Sequence, residues 1–448
     1  MNMQEIIQDK RDGGELSDEA IRFFVSGVTD RSIPDYQTAA FLMAIVFRGM
    51  TEREMTTLTL EMAYSGDVCD LSGIPGTKVD KHSSGGVGDK CTMIVLPIVA
   101  SLGVPIAKLS GRGLGFTGGT IDKLESIRGF KTSIPISSFV EQIKKCGMVL
   151  SGQTPELAPA DKYLYALRDV TGTVQSIPLI ASSIMSKKIA GGADAIVLDV
   201  TCGAGAFMKE ESSAKELSRA MIRIGAIAGR PVTCVISSME QPLGFAVGNA
   251  LEVQEALEVL SGKGPSDVEE VCCTLAAAML RRSDVGRTYT FDEAYSAARE
   301  TLRDGRAASR FLAFIQAQGG SLESDGTPSF TEQSVLRSEL TAEKDGYIKT
   351  IDALRIGEAS MRLGAGRKTK EDAIDMGAGI TLRHKVGDYV RAGDILLSAY
   401  TGTSSELGEE EILDALAIAK EGISFSDAAI EAPKEILAIL DENTVNPF

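Results

Sequence analysis

Over the first seventy residues, apolar positions recur at helical spacing. Ile21, Phe24, Val25 and Val28 fall on one face behind Ser17, a residue suited to capping a helix start. Pro34 fits the first turn of a second helix running through the apolar stretch Ala39 to Val46. Thr51 and Glu54 make a capping-box pair ahead of Leu58, Leu60 and Met62. The pattern predicts short helices with more apolar surface than they can bury alone, and so packing against another domain or subunit.

From Thr77 the pattern changes. Short apolar runs, Val104 to Leu109 and Ala195 to Val200 among them, alternate with glycine turns and helical segments. These runs predict buried parallel strands. Leu124 to Gly129, Phe139 to Cys146 and Ala214 to Ala228 read as the connecting turns and helices. Such alternation predicts an α/β domain with its ligand loops at the C-terminal ends of the strands. Ala160 to Lys188 is more helical. The most apolar stretch, Met93 to Ala107, is interrupted by Pro97, Gly103 and Pro105 and is shorter than the ~20 residues that span a bilayer. Gln318 to Thr331 reads as a linker. Beyond it, Asp345 to Ile348 and His384 to Asp394 read as β-hairpins, similar to the turn regions of barrel-sandwich domains of the biotinyl and lipoyl type. No lysine target for such a modification is present, which predicts a structural role, and His384 reads as a surface residue.

Composition narrows the class. The chain has 448 residues, 44% of them hydrophobic and 24% charged, enough for two or three domains with sizeable cores. A formal net charge of −16 argues against nucleic acid as a partner. The N-terminus lacks the basic-then-apolar pattern of a secretory signal, and the 7 cysteines include no Cys-x-x-Cys. These features predict a cytoplasmic protein with reduced, buried thiols and no membrane partner.

Three clusters carry candidate chemistry. Lys81-His82-Ser83-Ser84-Gly85-Gly86-Val87-Gly88-Asp89 combines a cation, an imidazole, hydroxyls and glycines. Glycines let backbone N–H groups approach a ligand, and lysine and serine add charge and hydrogen bonds, a combination suited to phosphate. About thirty residues on, Lys108-Leu109-Ser110-Gly111-Arg112-Gly113 continues through Thr117-Gly118-Gly119-Thr120, a second loop of glycines and hydroxyls. The third holds Tyr165, Arg168, Ser183, Lys187 and Lys188. Tyr165 and Arg168 share a helix face, and an aromatic ring, a fork of N–H donors and an ammonium suit a planar ring bearing carbonyls. His82, in a loop setting, reads as a hydrogen-bonding or proton-handling group. No nucleophile elbow, metal-ligand spacing or Walker-type phosphate loop is present.

In this order the clusters resemble the thymidine/pyrimidine-nucleoside phosphorylases, and Tyr165 to Thr171, Ser182 to Lys188 and Gln241 to Gly244 extend the likeness over nearly the whole chain. The resemblance implies an α/β fold with a small all-helical domain and a C-terminal α+β domain, of the nucleoside phosphorylase type II kind, with two domains across a cleft. The expected bounds are 1–70 plus 160–190 for the helical domain, 71–159 plus 191–330 for the α/β domain, and 340–448 for the C-terminal domain. It implies a homodimer formed through the helical domain. The implied activity is reversible phosphorolysis of uridine, thymidine and deoxyuridine to free base and pentose 1-phosphate. Phosphate would be bound by Lys81, Ser83, Thr92, Lys108, Ser110 and Thr120. Tyr165, Arg168, Ser183 and Lys187 would hold the pyrimidine, and His82, Arg168 and Lys187 would act in catalysis. No cofactor is required by this chemistry. A potassium site in the family corresponds to Gly88, Leu243, Ala246 and Glu255, but Lys90 stands where potassium-binding members have threonine, which leaves two readings open: its ammonium takes the place of the ion, or it points to solvent and the ion is held by the carbonyls and Glu255. Phe116 stands where histidine is usual, and Ser84 where threonine is. Lys108 resembles the broad-specificity members, and thymidine-restricted relatives carry methionine there. The competing readings are a thymidine-restricted phosphorylase, an anthranilate phosphoribosyltransferase-like enzyme, and a non-catalytic nucleoside-binding protein.

Overall fold

The computed structural model describes residues 1–113, 118–367 and 372–445. Four helices open the chain: α1 (Met3–Arg11), α2 (Asp18–Thr29), α3 (Asp35–Arg48) and α4 (Glu52–Ala63). Their starts follow the local sequence. Ser17 Oγ accepts from the Ala20 N–H, and Thr51 and Glu54 close a reciprocal capping box. Glu54 is buried, and its carboxylate also accepts from Lys10 Nζ at 2.9 Å and from the Leu16 N–H at 2.8 Å.

The α/β layer begins with β1 (Val79–Ser83), α5 (Cys91–Ser101), β2 (Ile106–Ser110), α6 (Thr120–Glu125), α7 (Phe139–Cys146) and β3 (Met148–Gly152). Two helices follow, α8 (Pro159–Thr171) and α9 (Ile177–Ala190). The chain then forms β4 (Ala195–Cys202), α10 (Glu211–Ile227), β5 (Val232–Ser238), β6 (Ala246–Val247) and α11 (Asn249–Leu260). Helices α12 (Ser266–Arg282), α13 (Phe291–Arg303) and α14 (Arg306–Ala317) complete it. Strands β1, β4 and β5 are parallel neighbours, as are β2 and β3. Every residue of β4 and β5 is buried, as continuous apolar runs covered by helices on both faces require. Leu164 of α8 and Leu179 of α9 join the core of Phe24, Phe41 and Leu58.

The C-terminal part contains β7 (Ser334–Thr341), β8 (Gly346–Ile351), α15 (Ala353–Ser360), β9 (Gly379–Leu382) and β10 (Tyr389–Val390). It ends with β11 (Ile395–Gly402), α16 (Glu409–Glu421), β12 (Ile423–Ser426), β13 (Ile436–Leu440) and α17 (Glu442–Val445). Its two small sheets enclose a separate core that includes Ile348, Leu363 and Leu397. The result is an α/β protein with a helical bundle and a C-terminal α+β unit. No described helix is long and apolar enough to cross a membrane.

Four features differ from the sequence pattern. Pro97 lies inside α5 without ending it: the helix is buried almost throughout, and apolar packing offsets the hydrogen bond that proline removes. Residues 318–331 are docked, not a free linker. Gln318 is buried, its Oε1 accepts from the Leu150 N–H at 3.0 Å, and the Arg128 N–H donates to Ser329 O at 2.7 Å. Strand β13 pairs antiparallel with β5, so the end of the chain closes an edge of the α/β sheet. Strand β6 pairs with β9, which carries one C-terminal sheet onto the α/β unit.

Candidate active site

A cavity of about 460 Å³ lies between α8 and α9 on one side and loops at the C-terminal ends of β1, β2, β3 and β4 on the other. Parallel strands direct their C-terminal loops to one edge, where open α/β sheets bind ligands. His82, Ser83, Ser84 and Gly85 reach the cavity from β1, Gly111 to Gly113 from β2, and Gln153 and Thr154 from β3. Phe207 and Met208 follow β4.

The helical wall carries Asp161, Tyr165 and Arg168, spaced four and three apart along α8 and so on one face. Lys187 of α9 donates to Asp161 Oδ2 at 2.6 Å and to Ser183 Oγ at 2.8 Å. Its ammonium lies 5.9 Å from the Tyr165 ring centre, and the Arg168 guanidinium carbon lies 6.0 Å from it. Arg168 is buried and donates to the carbonyls of Thr173, Val174 and Leu179 at 3.2, 2.8 and 3.1 Å. Those bonds fix the guanidinium plane and leave two of its N–H groups over. Asp161 was not among the residues singled out in the sequence. Its Oδ1 is buried with no hydrogen-bond partner among the described residues. The i, i+4, i+7 spacing with Tyr165 and Arg168 was the available signal.

The opposite wall is built on β1. Pairing of Lys81 with Val197 and Ser83 with Asp199 sets these side chains beside β4. Ser83 Oγ accepts from the N–H of Gly85, whose φ of +94° favours glycine. Lys81 is wholly buried, and among the described residues its Nζ has no hydrogen-bond partner. The nearest carboxylate oxygens are Asp199 Oδ2 at 3.5 Å and Asp89 Oδ1 at 4.0 Å. Burial works against its charge, but Asp89 and then Asp199 outweigh it and hold the ammonium above its ordinary value. Asp89, Cys91 and Asp199 are the one group of potential metal ligands among the described residues, and two of them already face this ammonium. Burial, and then the charges of Lys188, Lys108, Lys187 and Lys81, push His82 well below its usual value. Its imidazole is therefore neutral near pH 7, able to donate one hydrogen bond and accept another.

Thr92 lies in the first turn of α5 and Thr120 opens α6, where backbone N–H groups lack helical partners, and Ser110 ends β2. Thr92 and Ser110 are buried, and these three, like Lys81, lie outside the described wall of the cavity. Lys108 also departs from its expected place. Its Nζ donates to Leu109 O at 2.9 Å and lies 3.6 Å from Asp80 Oδ1, enclosed with Lys188, which donates to Asp80 Oδ2 at 2.8 Å. Burial pushes the Lys108 amine well down, and Lys188 adds to this against the pull of Asp80. Phe116 lies outside the described residues. His384 is partly exposed, with Nδ1 3.8 Å from Asp388 Oδ2.

Lys90 has a definite set of partners. Its buried ammonium donates to Leu243 O at 2.7 Å, Ala246 O at 3.0 Å and Glu255 Oε2 at 2.5 Å. Gly88 is pressed against the same carbonyls, with φ +75° and no room for a Cβ, which would lie 2.6 Å from Leu243 O. Three acceptors satisfy the three N–H bonds of an ammonium. A bare monovalent cation would have to share these oxygens with that ammonium, so the residues present do not fit one.

Comparison with known proteins agrees with the fold. Residues 75–308 match the glycosyl transferase family a/b domain, and residues 4–66 its helical bundle domain. Residues 347–419 match the pyrimidine nucleoside phosphorylase C-terminal domain. The chain is 50% identical over 433 residues to a pyrimidine-nucleoside phosphorylase of Geobacillus stearothermophilus, covering 97% of this chain and 98% of that one. It is 50% identical over 445 residues to the Bacillus subtilis (strain 168) pyrimidine-nucleoside phosphorylase, covering 99% and 100%. Anthranilate phosphoribosyltransferase from Thermus thermophilus shares the fold, with a TM-score of 0.55 over 70% of this chain and 98% of that one, at 18% identity.

Proposed function

The chain belongs to the pyrimidine-nucleoside phosphorylase family, and from that premise we propose that its cleft carries out reversible phosphorolysis of uridine, thymidine and deoxyuridine. A phosphate oxygen attacks C1′ of the pentose while the bond from C1′ to the base nitrogen breaks. The products are the free pyrimidine and a pentose 1-phosphate. The observation that carries this reading is Lys81, a buried ammonium without a hydrogen-bond partner at the glycine-rich loop. Its charge is balanced by Asp89 and Asp199, but its unpaired N–H donors are costly unless a further acceptor, such as a phosphate oxygen, completes them.

Lys81, Ser83, Thr92, Ser110 and Thr120 supply the phosphate site. Tyr165, Arg168, Ser183 and Lys187 hold the base. The free N–H groups of Arg168, the Lys187 ammonium and the neutral His82 N–H stabilise negative charge as it grows on the departing ring. The Lys108 ammonium is held on Leu109 O and beside Asp80, outside the described cavity wall, so it bears on the ribose 2′-hydroxyl only through its neighbours, and uridine and thymidine are both expected as substrates. Lys90 supplies a fixed positive charge to the 243–246 turn, and the enzyme needs no added cation. Thymidine cleavage without uridine cleavage would count against the Lys108 role.

The exposed aromatic side chains of Tyr36 and Phe47 on α3, 75% and 78% exposed, support a homodimer through the helical bundle. Net charge disfavours nucleic acid as a partner, and the expected location is the cytoplasm. The likeness to anthranilate phosphoribosyltransferase carries the fold alone, while the relatives of high identity are phosphorylases. The test is release of uracil from uridine, and of thymine from thymidine, by the purified chain. Release is expected only with phosphate, and its absence at saturating phosphate would overturn the reading.

A further inference from the structure

Every described residue lining the cleft lies at or before Leu217, so the C-terminal unit contributes none of them. It nevertheless holds the second glycine-rich loop. Asp122, in the first turn of α6, is completely buried. Its Oδ2 accepts from the Gly113 N–H at 2.7 Å. Its Oδ1 accepts from Arg112 Nη1 at 3.1 Å and from Arg367 Nη2 at 3.0 Å. Gly113 and Arg112 line the cleft at the start of the loop. Gly119, at its far end, is so close that an added Cβ would lie 2.1 Å from Gly113 N. One carboxylate thus ties the start of the loop to the helix that follows it. Arg112 is half exposed and also serves Glu125 at 2.5 and 2.6 Å, so Arg367, only 15% exposed, is the better-enclosed cation on Asp122. The segment bearing Arg367 is anchored in turn, because Asn249 Nδ2 at the start of α11 donates to Ala365 O at 2.9 Å.

We propose that Arg367 is a positioning residue for phosphate, acting from the C-terminal unit through Asp122 to fix the Arg112–Gly113 backbone. This rests on the phosphorylase reading for the identity of the anion. A charged partner removed from a buried carboxylate leaves that carboxylate short of donors, and it then competes for Gly113 and Arg112 on different terms. Displacement of the Gly111–Gly113 backbone by a fraction of an ångström would carry Ser110 and Thr120, which flank this tie and belong to the proposed phosphate site, out of place while sparing the base-binding wall on α8 and α9.

The experiment measures inorganic phosphate binding to the full chain by calorimetry, alongside steady-state kinetics, for Arg367→Met, Arg367→Lys and Asp122→Asn. Arg367→Met is expected to weaken phosphate binding, and raise KM for phosphate, by about 10- to 100-fold. KM for uridine should stay within about twofold, because the base wall is untouched. Arg367→Lys, which keeps charge and one donor, should lie between it and the parent. If Arg367 acted only by its charge at a distance, Arg367→Met would cost the same in the Asp122→Asn background. Positioning through Asp122 requires that most of the cost disappear there. Unchanged phosphate affinity in a folded Arg367→Met, or in Arg367→Lys should the first variant fail to fold, would overturn the proposal. So would an equal loss of affinity for phosphate and uridine. If the parent binds phosphate but releases no base, the phosphorylase reading fails while the calorimetry still decides the role of Arg367.

Discussion

Lys81 and Lys90 sit at opposite ends of one glycine-rich segment and are both fully buried, yet their surroundings are opposite in kind. Lys90 meets three oxygens, none farther than 3.0 Å. Lys81 makes no hydrogen bond among the described residues and is paired only at longer range, with two carboxylates at 3.5 and 4.0 Å. Burial and residue type do not separate a structural cation from a ligand-binding one. The supply of acceptors does. The Lys90 ammonium has already exchanged water for protein oxygens, whereas the Lys81 charge is balanced by two carboxylates while its N–H donors stay unpaired, a cost that a further acceptor removes.

The comparison is broken most directly by removing each cation. Lys81→Met should lower turnover by roughly 1000-fold, the upper end for loss of one preorganised electrostatic contact, with the fold retained. Phosphate-dependent base release, read beside a thermal melt, checks it. Arg168→Ala and Lys187→Ala act on the base wall and should each cost about 100-fold, from the lower part of the same range. Near-normal turnover in Arg168→Ala would remove that residue from the proposed chemistry.

Lys90→Met should act on stability first. It leaves the Glu255 carboxylate without its cation, held by the Phe245 and Ala246 N–H groups, and loss of one partner of a buried pair costs about 3–5 kcal/mol. Denaturant unfolding would read this as a lower midpoint. In the parent, replacing potassium by tetramethylammonium at constant ionic strength should leave activity unchanged. Saturable activation by potassium would contradict a fixed ammonium in its place.

The smallest effect concerns the C-terminal link to the same turn. Lys385 Nζ donates to Gly244 O at 3.0 Å and reaches Asp267 Oδ2 at 2.8 Å, close to Glu435. Burial, and then Asp267, push the Glu435 carboxyl from 4.5 up to about 7. Its folded-state value is raised, so its stabilising contribution is present below the unfolded value and is lost as pH rises through about 7. The melting temperature should therefore fall across that window, and Glu435→Gln should flatten the fall. An identical slope in the variant would exclude Glu435 as its source.

Local rules were legible where neighbours in sequence meet. The Thr51–Glu54 capping box forms as read, and the strand expected over Val104 to Leu109 appears as Ile106–Ser110. The run from Ala195 extends two residues further than its pattern, to Cys202. Tyr165 and Arg168 share a face of α8 because helical geometry puts residues three apart together. The stretch around Pro97 forms a helix too short to cross a membrane, and that helix carries its proline through burial that no local rule encodes.

By itself, then, the sequence determined the periodicities, the caps, and which loops are rich enough in glycine, hydroxyl and cation to receive an anion. It also supplied the family likeness through the order of those loops. Only the tertiary structure decided which cations are satisfied. Lys90 is 153 positions from Leu243 and 165 from Glu255, Lys187 is 26 from Asp161, and Arg367 is 245 from Asp122. Hydrogen bonding and desolvation are settled by the atoms within about 3 Å of a group. Chain position alone does not say which atoms those will be.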